Sequence, residues 1–167
     1  MIDNGCLARA AEVLQRYRTR GLTIATAESC TGGLVSASLT HHAGSSDVVL
    51  GGFVTYSNAL KHSALAVSTE LLETHGAVSG PVAAAMAEGA LSASGASRTV
   101  AVTGIAGPGG GSTGKPVGLV WFAVAGIGRP TVTDWKVFDG DRAAVRAQAT
   151  EQALALLHHH AGKAAGA

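Results

Sequence analysis

Apolar positions change period several times along this chain, and each change marks an element. Leu7, Ala10, Ala11, Leu14 and Tyr17 recur at spacings of three and four, which predicts an amphipathic helix over Cys6 to Arg20. Arg16, Arg18 and Arg20 suit the negative pole of its dipole, and Gly21 can close it. Leu22-Thr23-Ile24-Ala25 reads as a buried strand, and Leu34-Val35-Ser36-Ala37-Ser38-Leu39 as a helix packed on one face. After a polar loop from His41 to Ser46, Val48 to Tyr56 forms a second strand. Its Gly51-Gly52 pair points to a bulge or a close backbone approach. Ser57 or Asn58 caps a short helix carrying Ala59, Leu60 and Lys61, and Ser68 or Thr69 opens another over Glu70 to His75. Ser79-Gly80-Pro81 opens a longer helix, rich in small residues, that runs to Gly95.

The second half is mostly strand. Thr99 to Ile105 is a buried run, Ala106 to Pro116 a glycine-rich loop, and Gly118 to Ala125 another strand. A turn over Gly126 to Pro130 leads to a last strand, Thr131 to Phe138. Its alternation at Val132, Trp135 and Val137 is less clean than a solvent-facing edge would show. Asp141 starts a final helix carrying Val145, Ala149, Ala153, Leu156 and Leu157, and the tail over about residues 158–167 is expected to fray. Early βα alternation followed by strand–turn–strand implies a three-layer α/β/α fold, with a mixed sheet of about five strands covered by helices on both faces. With no repeat and no linker, residues 1–167 read as one domain, long enough to bury a core.

Composition narrows the function classes. A hydrophobic fraction of 47% excludes a disordered chain. A net charge of +1 argues against nucleic-acid binding through a broad basic surface, yet leaves room for an anionic small ligand. Cys6 and Cys30 form neither a Cys-x-x-Cys pair nor a disulfide framework. The start lacks a basic segment followed by an apolar run, and no apolar run reaches the roughly 20 residues that span a bilayer. These features predict a cytoplasmic protein with no membrane partner. The side chains of His41 and His42 point apart and have no acidic or cysteine companions, so no metal is expected there. The three histidines from His158 to His160 receive no function.

Candidate chemistry centres on Thr26-Ala27-Glu28-Ser29-Cys30-Thr31-Gly32-Gly33, which places Ser29 between the end of a strand and the start of a helix. Backbone N–H groups around Cys30 to Gly32 carry partial positive charge there and suit an oxyanion formed beside Ser29. The same segment also reads as an ordinary turn in which Glu28, Ser29 and Thr31 supply caps. A serine nucleophile needs a base. His41, His42, His62 and His75 lie in polar or helix-end settings. Lys61, five residues past Tyr56, can reach the same sheet edge as Ser29, where open α/β sheets bind ligands. A partly buried lysine has a lowered pKa and acts as a base near neutrality, with Tyr56 holding it or relaying the proton. The competing readings are a solvated helix lysine and a strand-end tyrosine.

In the glycine loop, Gly109, Gly111 and Gly114 fit G-x-G-x-x-G, and Gly109, Gly114 and Lys115 fit the start of a P-loop. Both mechanisms require a helix directly afterwards, and Pro116-Val117-Gly118 leads into a strand, so both nucleotide motifs are rejected. The loop is either an anion-binding nest of backbone N–H groups, with Lys115 adding charge, or a wide hairpin connection.

Five ordered motifs together resemble the CinA C-terminal domain family: the Thr26–Gly33 segment; Gly52-Phe53-Val54-Thr55-Tyr56-Ser57-Asn58 with Lys61; His75-Gly76-Ala77-Val78-Ser79; Gly104-Ile105-Ala106-Gly107-Pro108 with Lys115-Pro116-Val117-Gly118; and Gly140-Asp141-Arg142. Members of that family are stand-alone or fused nicotinamide-nucleotide amidases, the fused ones carrying an extra N-terminal domain. The resemblance implies a hydrolase that converts nicotinamide mononucleotide to nicotinate mononucleotide and ammonia, in pyridine nucleotide recycling, without metal or cofactor. It makes Ser29 the nucleophile, Lys61 the base and Tyr56 the third member, with the oxyanion facing the backbone of Cys30, Thr31 and Gly32. Cys30 is the rival nucleophile. Glu28, Thr103, Gly107, Gly109 and Gly110 fall to the substrate side, and Arg142 to the phosphate, with Arg146 as the neighbouring alternative. A homodimer is also implied. The alternative is a non-catalytic nucleotide-binding or interaction module tied to competence and DNA damage, which would not need Ser29, Tyr56 and Lys61 together.

Overall fold

In the computed structural model, which describes residues 2–162, the elements run α1 (Asn4–Arg20), β1 (Ile24–Glu28), α2 (Leu34–Thr40), β2 (Val49–Val54), α3 (Asn58–Leu65), α4 (Thr69–His75), α5 (Gly80–Ser94), β3 (Arg98–Gly104), β4 (Leu119–Gly126), β5 (Arg129–Val137) and α6 (Arg142–His159). A single 3-10 turn, Ser45–Asp47, precedes β2. The helix starts follow from local chemistry. Asp3, Ser57, Ser68, Ser79 and Asp141 each accept a hydrogen bond from a first-turn backbone N–H.

The strands pair in the order β2-β1-β3-β4-β5. β1 runs parallel to β2 and β3, whereas β3–β4 and β4–β5 are antiparallel, which makes the mixed sheet that the pattern predicts. Helices α1, α2 and α6 cover one face, and α3, α4 and α5 the other.

Strand alternation divides bulk unequally between the faces. Val100 and Val102 of β3 and Val120, Phe122 and Val124 of β4 join the core under α1 and α6. Ala101, Ala123 and Ala125, together with Ala27 of β1, join the core under α5. Alanines on the sheet meet Ala83, Ala87 and Ala90 on α5, so that helix lies close. Helix α3 lies close in turn: a Cβ at Gly89 would sit 2.0 Å from the Leu65 carbonyl oxygen. Of the Gly51-Gly52 pair, Gly52 is explained by a similar approach, since a Cβ there would meet the hydroxyls of Ser36 and Thr26 at 2.1 and 2.6 Å, whereas Gly51 has open space and follows a shift of register against β1.

Two expectations are corrected. β5 is an outer strand: Trp135 is 54% exposed, and Val132 and Val137 are exposed as well. Its apolar residues face solvent because the helices cover this outermost strand less fully than β3 and β4. The chain also does not fray from residue 158. His158 and His159 complete α6, and Ala161 is buried. Arg98, buried at the start of β3, donates to the carbonyls of Ser97 (2.7 Å), His160 (3.3 Å) and Gly162 (2.9 Å). A buried guanidinium needs acceptors, and the segment that follows α6 supplies two of the three. The rest of the predicted tail, residues 163–167, lies outside the described residues. Among the described residues, no helix is long and apolar enough to cross a membrane.

Candidate active site

Ser29 stands at the carboxyl end of β1, one step past the last paired residue. Its N–H donates to the Val102 carbonyl (2.9 Å), and the Thr55 N–H donates to the Glu28 carbonyl (2.9 Å). The ends of three parallel strands therefore converge on it, at the crevice where open sheets take ligands.

The turn after Ser29 is held from beneath by Glu28. Its side chain shares parity with Ile24 and Thr26, which puts it on the α2 side of the sheet. There the fully buried carboxylate accepts from the N–H groups of Gly33 (3.0 Å), Val35 (3.1 Å) and Ser36 (2.8 Å), and from the Thr26 hydroxyl (3.3 Å). The N-cap residue of α2 is Gly33, which has no side chain, so Glu28 does the capping instead. This corrects the placement of Glu28 on the substrate side.

Lys61 comes from α3 and is 1% exposed. Its Nζ lies 3.0 Å from Ser29 Oγ and donates to the Thr55 carbonyl at 2.8 Å. No carboxylate pairs with it among the described residues. Burial pulls its pKa below the ordinary lysine range. The amine is thus driven toward its neutral form, next to a hydroxyl it can deprotonate.

Tyr56 does not join this pair. The Thr55 carbonyl holds the lysine, while Tyr56 turns out to the rim, 59% exposed. Its hydroxyl accepts from Arg142 Nη2 at 2.8 Å, and Arg142 Nη1 donates to the Gly107 carbonyl at 2.9 Å. Tyr56 as holder of the lysine is therefore corrected to Tyr56 as partner of Arg142.

The N–H groups of Cys30 and Thr31 have no acceptor in another of the described residues, whereas that of Gly32 returns to the Ser29 carbonyl at 3.0 Å. This removes Gly32 from the expected oxyanion donors. The Cys30 thiol is buried, and burial pushes its pKa up to about 11, so it remains protonated at neutral pH.

Ser29, Cys30, Tyr56, Lys61, Thr103 and Arg142 line one cavity of about 220 Å³. Thr103 also donates its hydroxyl to the Ala77 carbonyl (2.8 Å), which fixes the chain just before α5. Gly109 and Gly110, expected at the substrate, lie exposed outside this lining. Their loop closes on itself as a wide hairpin through Ser112 and Lys115, and Lys115 Nζ is spent on the His75 carbonyl at 2.7 Å. Arg146 is also spent elsewhere: Nε donates to the Cys30 carbonyl (3.1 Å) and Nη2 to the Thr31 carbonyl (3.0 Å). Asn58, part of a family-like motif but not among the expected site residues, lines the cavity, because Ser57 takes the cap.

A larger hollow of about 620 Å³ between the start of α1 and α6 holds no comparable pair. Its Cys6 thiol is pushed up to about 11, by burial first and Glu151 next, and is bonded to the Ala147 carbonyl. Among the described residues, no three His, Cys, Asp or Glu side chains gather in a group that could hold a metal.

Comparison with known proteins places these features in a family context. A family model of the CinA C-terminal domain matches residues 7–161. Over 94% of its length the chain is 50% identical to the nicotinamide-nucleotide amidohydrolase PncC of Escherichia coli K12, spanning 95% of that protein. It is 55% identical over 82% of its length to a CinA-like protein of Mycolicibacterium vanbaalenii, of which it spans 32%. Among solved structures it superposes on the competence/damage-inducible protein CihA from Agrobacterium tumefaciens, with a TM-score of 0.90, 45% identity, and coverage of 94% of this chain and 96% of that one. A CinA superfamily protein of Escherichia coli gives a TM-score of 0.88 and 38% identity, over 95% of this chain and 93% of that one.

Proposed function

Because the chain belongs to the CinA C-terminal domain family, we propose that it is a nicotinamide-nucleotide amidohydrolase, converting nicotinamide mononucleotide and water to nicotinate mononucleotide and ammonia in pyridine nucleotide recycling. The observation that carries this reading is the buried amine of Lys61, paired with no carboxylate among the described residues and 3.0 Å from Ser29 Oγ. The name of the Escherichia coli relative supports the substrate class.

The reaction runs in two halves. Neutral Lys61 takes the Ser29 proton as Oγ attacks the carboxamide carbon. The oxyanion meets the N–H groups of Cys30 and Thr31. Lys61 returns the proton to the departing nitrogen, ammonia leaves, and an acyl-enzyme remains on Ser29. Water, deprotonated by Lys61, then attacks the ester, and the proton passes back to Ser29 Oγ as the carboxylate product leaves. The scheme uses no metal or cofactor.

Size and charge divide the substrate between the cavity and its mouth. About 220 Å³ is below the roughly 300–1,000 Å³ of pockets that engulf a drug-sized ligand. The cavity takes the reacting carboxamide end, and the ribose phosphate stays at the rim. There Arg142 has spent two of its five N–H groups, leaving three for a phosphate. The implied homodimer and cytoplasmic location belong to the same reading; light scattering and cell fractionation test them.

The decisive experiment is ammonia release from nicotinamide mononucleotide by the wild type, Ser29→Ala and Lys61→Ala. Release by the wild type and background from both variants is expected. Release by Ser29→Ala at the wild-type rate would move the chemistry off that serine. No release by folded wild type would favour the non-catalytic binding module.

A further inference from the structure

Arg146 lies on α6 one turn beyond Arg142, yet it reaches the turn after Ser29 and not the cavity mouth. Its Nε and Nη2 hold the Cys30 and Thr31 carbonyls at 3.1 and 3.0 Å. The Thr31 carbonyl has a second donor, the Leu34 N–H at 3.3 Å. The Cys30 carbonyl has no other donor among the described residues. A peptide unit is a rigid trans plane, in which C=O and N–H point in opposite directions. Whatever fixes the Cys30 carbonyl therefore aims the Thr31 N–H, which has no acceptor in another of the described residues.

We infer that Arg146 is a positioning residue for catalysis: it orients the Cys30–Thr31 peptide so that the Thr31 N–H meets the oxyanion formed beside Ser29. The inference rests on the amidase reading. A charged donor on the carbonyl also polarises the shared peptide, which makes its N–H the better donor when negative charge develops. The planar fork of arginine holds two adjacent carbonyls in a fixed geometry, which the rotatable ammonium of a lysine does not impose. Without Arg146 the peptide is free to turn its carbonyl toward the oxyanion, where it repels.

The test is kinetic. Arg146→Ala is expected to lower kcat about 100-fold, the scale of losing one oxyanion donor, with KM changed less than about twofold. Added guanidinium, reaching the gap through the 620 Å³ hollow that Arg146 lines, is expected to restore part of kcat. Unchanged kcat per folded molecule with a lowered Tm would overturn the inference, because Arg146 would then be a structural strut only. A raised KM at constant kcat would overturn it too, since Arg146 would then bind substrate. If Arg146→Ala does not fold, Arg146→Lys is read by the same criteria, with a smaller drop expected.

A second probe separates this inference from the choice of substrate. A fluorophosphonate phosphonylates an activated serine, forming the Ser29 O–P bond and releasing fluoride, and places its phosphoryl oxygen against the same N–H groups. Wild type that is labelled without releasing ammonia would sink the substrate reading, and a labelling rate in Arg146→Ala equal to wild type would sink the positioning role. Wild type that is neither labelled nor active would remove both.

Discussion

Replacing Glu28 by glutamine changes one oxygen to an amino group inside a site built only of donors. Oε2 accepts from Gly33 and Val35, and Oε1 from Ser36 and the Thr26 hydroxyl. An amino group at the Oε2 position would face two N–H groups. At the Oε1 position it faces one N–H, and the Thr26 hydroxyl can rotate to accept from it. The second arrangement wins, so one backbone N–H loses its acceptor and the other two lose the charge that strengthened theirs. A charge-assisted hydrogen bond contributes about 1.5–3 kcal/mol, and an orphaned buried group costs about 1–3 kcal/mol. Glu28→Gln is then expected to cost about 2–4 kcal/mol. Glu28→Ala, which orphans all three N–H groups, is expected to cost about 4–7 kcal/mol, close to the roughly 5–15 kcal/mol that keeps a domain folded. Urea unfolding followed by far-UV circular dichroism reads both, with m unchanged. At about 2–4 °C per kcal/mol for a chain of this size, Tm of the glutamine variant falls by about 5–15 °C. A fall under about 2 °C at unchanged m would show that the carboxylate does not hold the Ser29 turn.

Three further outcomes follow from the geometry. Lys61→Met is expected to abolish turnover and to gain stability relative to wild type as pH falls, because the fold disfavours the charged amine; that cost is full below the folded-state pKa and vanishes as pH rises into the ordinary lysine range. A wild-type-to-variant difference that stays constant from neutral to strongly alkaline pH would refute it. Cys30→Ala is expected to keep turnover within a few-fold of wild type, since a thiol pushed up to about 11 is not a thiolate at neutral pH, and a loss as deep as that of Ser29→Ala would make Cys30 the nucleophile. Truncation after Leu157 takes two of the three carbonyl acceptors from buried Arg98 and is expected to cost about 3–5 kcal/mol in urea unfolding, with removal of residues 163–167 alone as the control.

The fold was legible because its signals are local. Ser57, Ser68, Ser79 and Asp141 cap the helices where their residue types place them, and the period changes fall within a few residues of the strand ends. The juxtaposition of Ser29 with Lys61 was legible too, because both lie just beyond adjacent parallel strand ends. What failed depends on neighbours. Ala11 of α1 is exposed while Cys6 and Val13 are buried, since the seam is set by α6 and not by α1 alone. Exposure of β5 follows from strand order, which no window of sequence encodes. The family resemblance puts Glu28 and Tyr56 at the chemistry, and only the packed structure shows the one buried beneath the turn on three N–H groups and the other out at the rim on Arg142. Arg142 and Arg146 share a helix face at i and i+4, so only the packing of α6 against α2 separates one that faces the cavity from one that holds the backbone.

The unequal grain of the sheet sets where this chain is free to vary. Under α1 and α6, valines and Phe122 can exchange volume with their neighbours, so compensated substitutions are open to divergence and to design. Where Ala101, Ala123 and Ala125 face the alanines of α5 there is little volume to exchange, and a larger side chain there meets a close-packed partner. Because α3 rests on α5 at Gly89, the position of Lys61 is tied to that unyielding side. Substitutions should therefore accumulate on one face of the sheet during evolution, and any attempt to shift the reactive lysine has to begin with the spacing of α5.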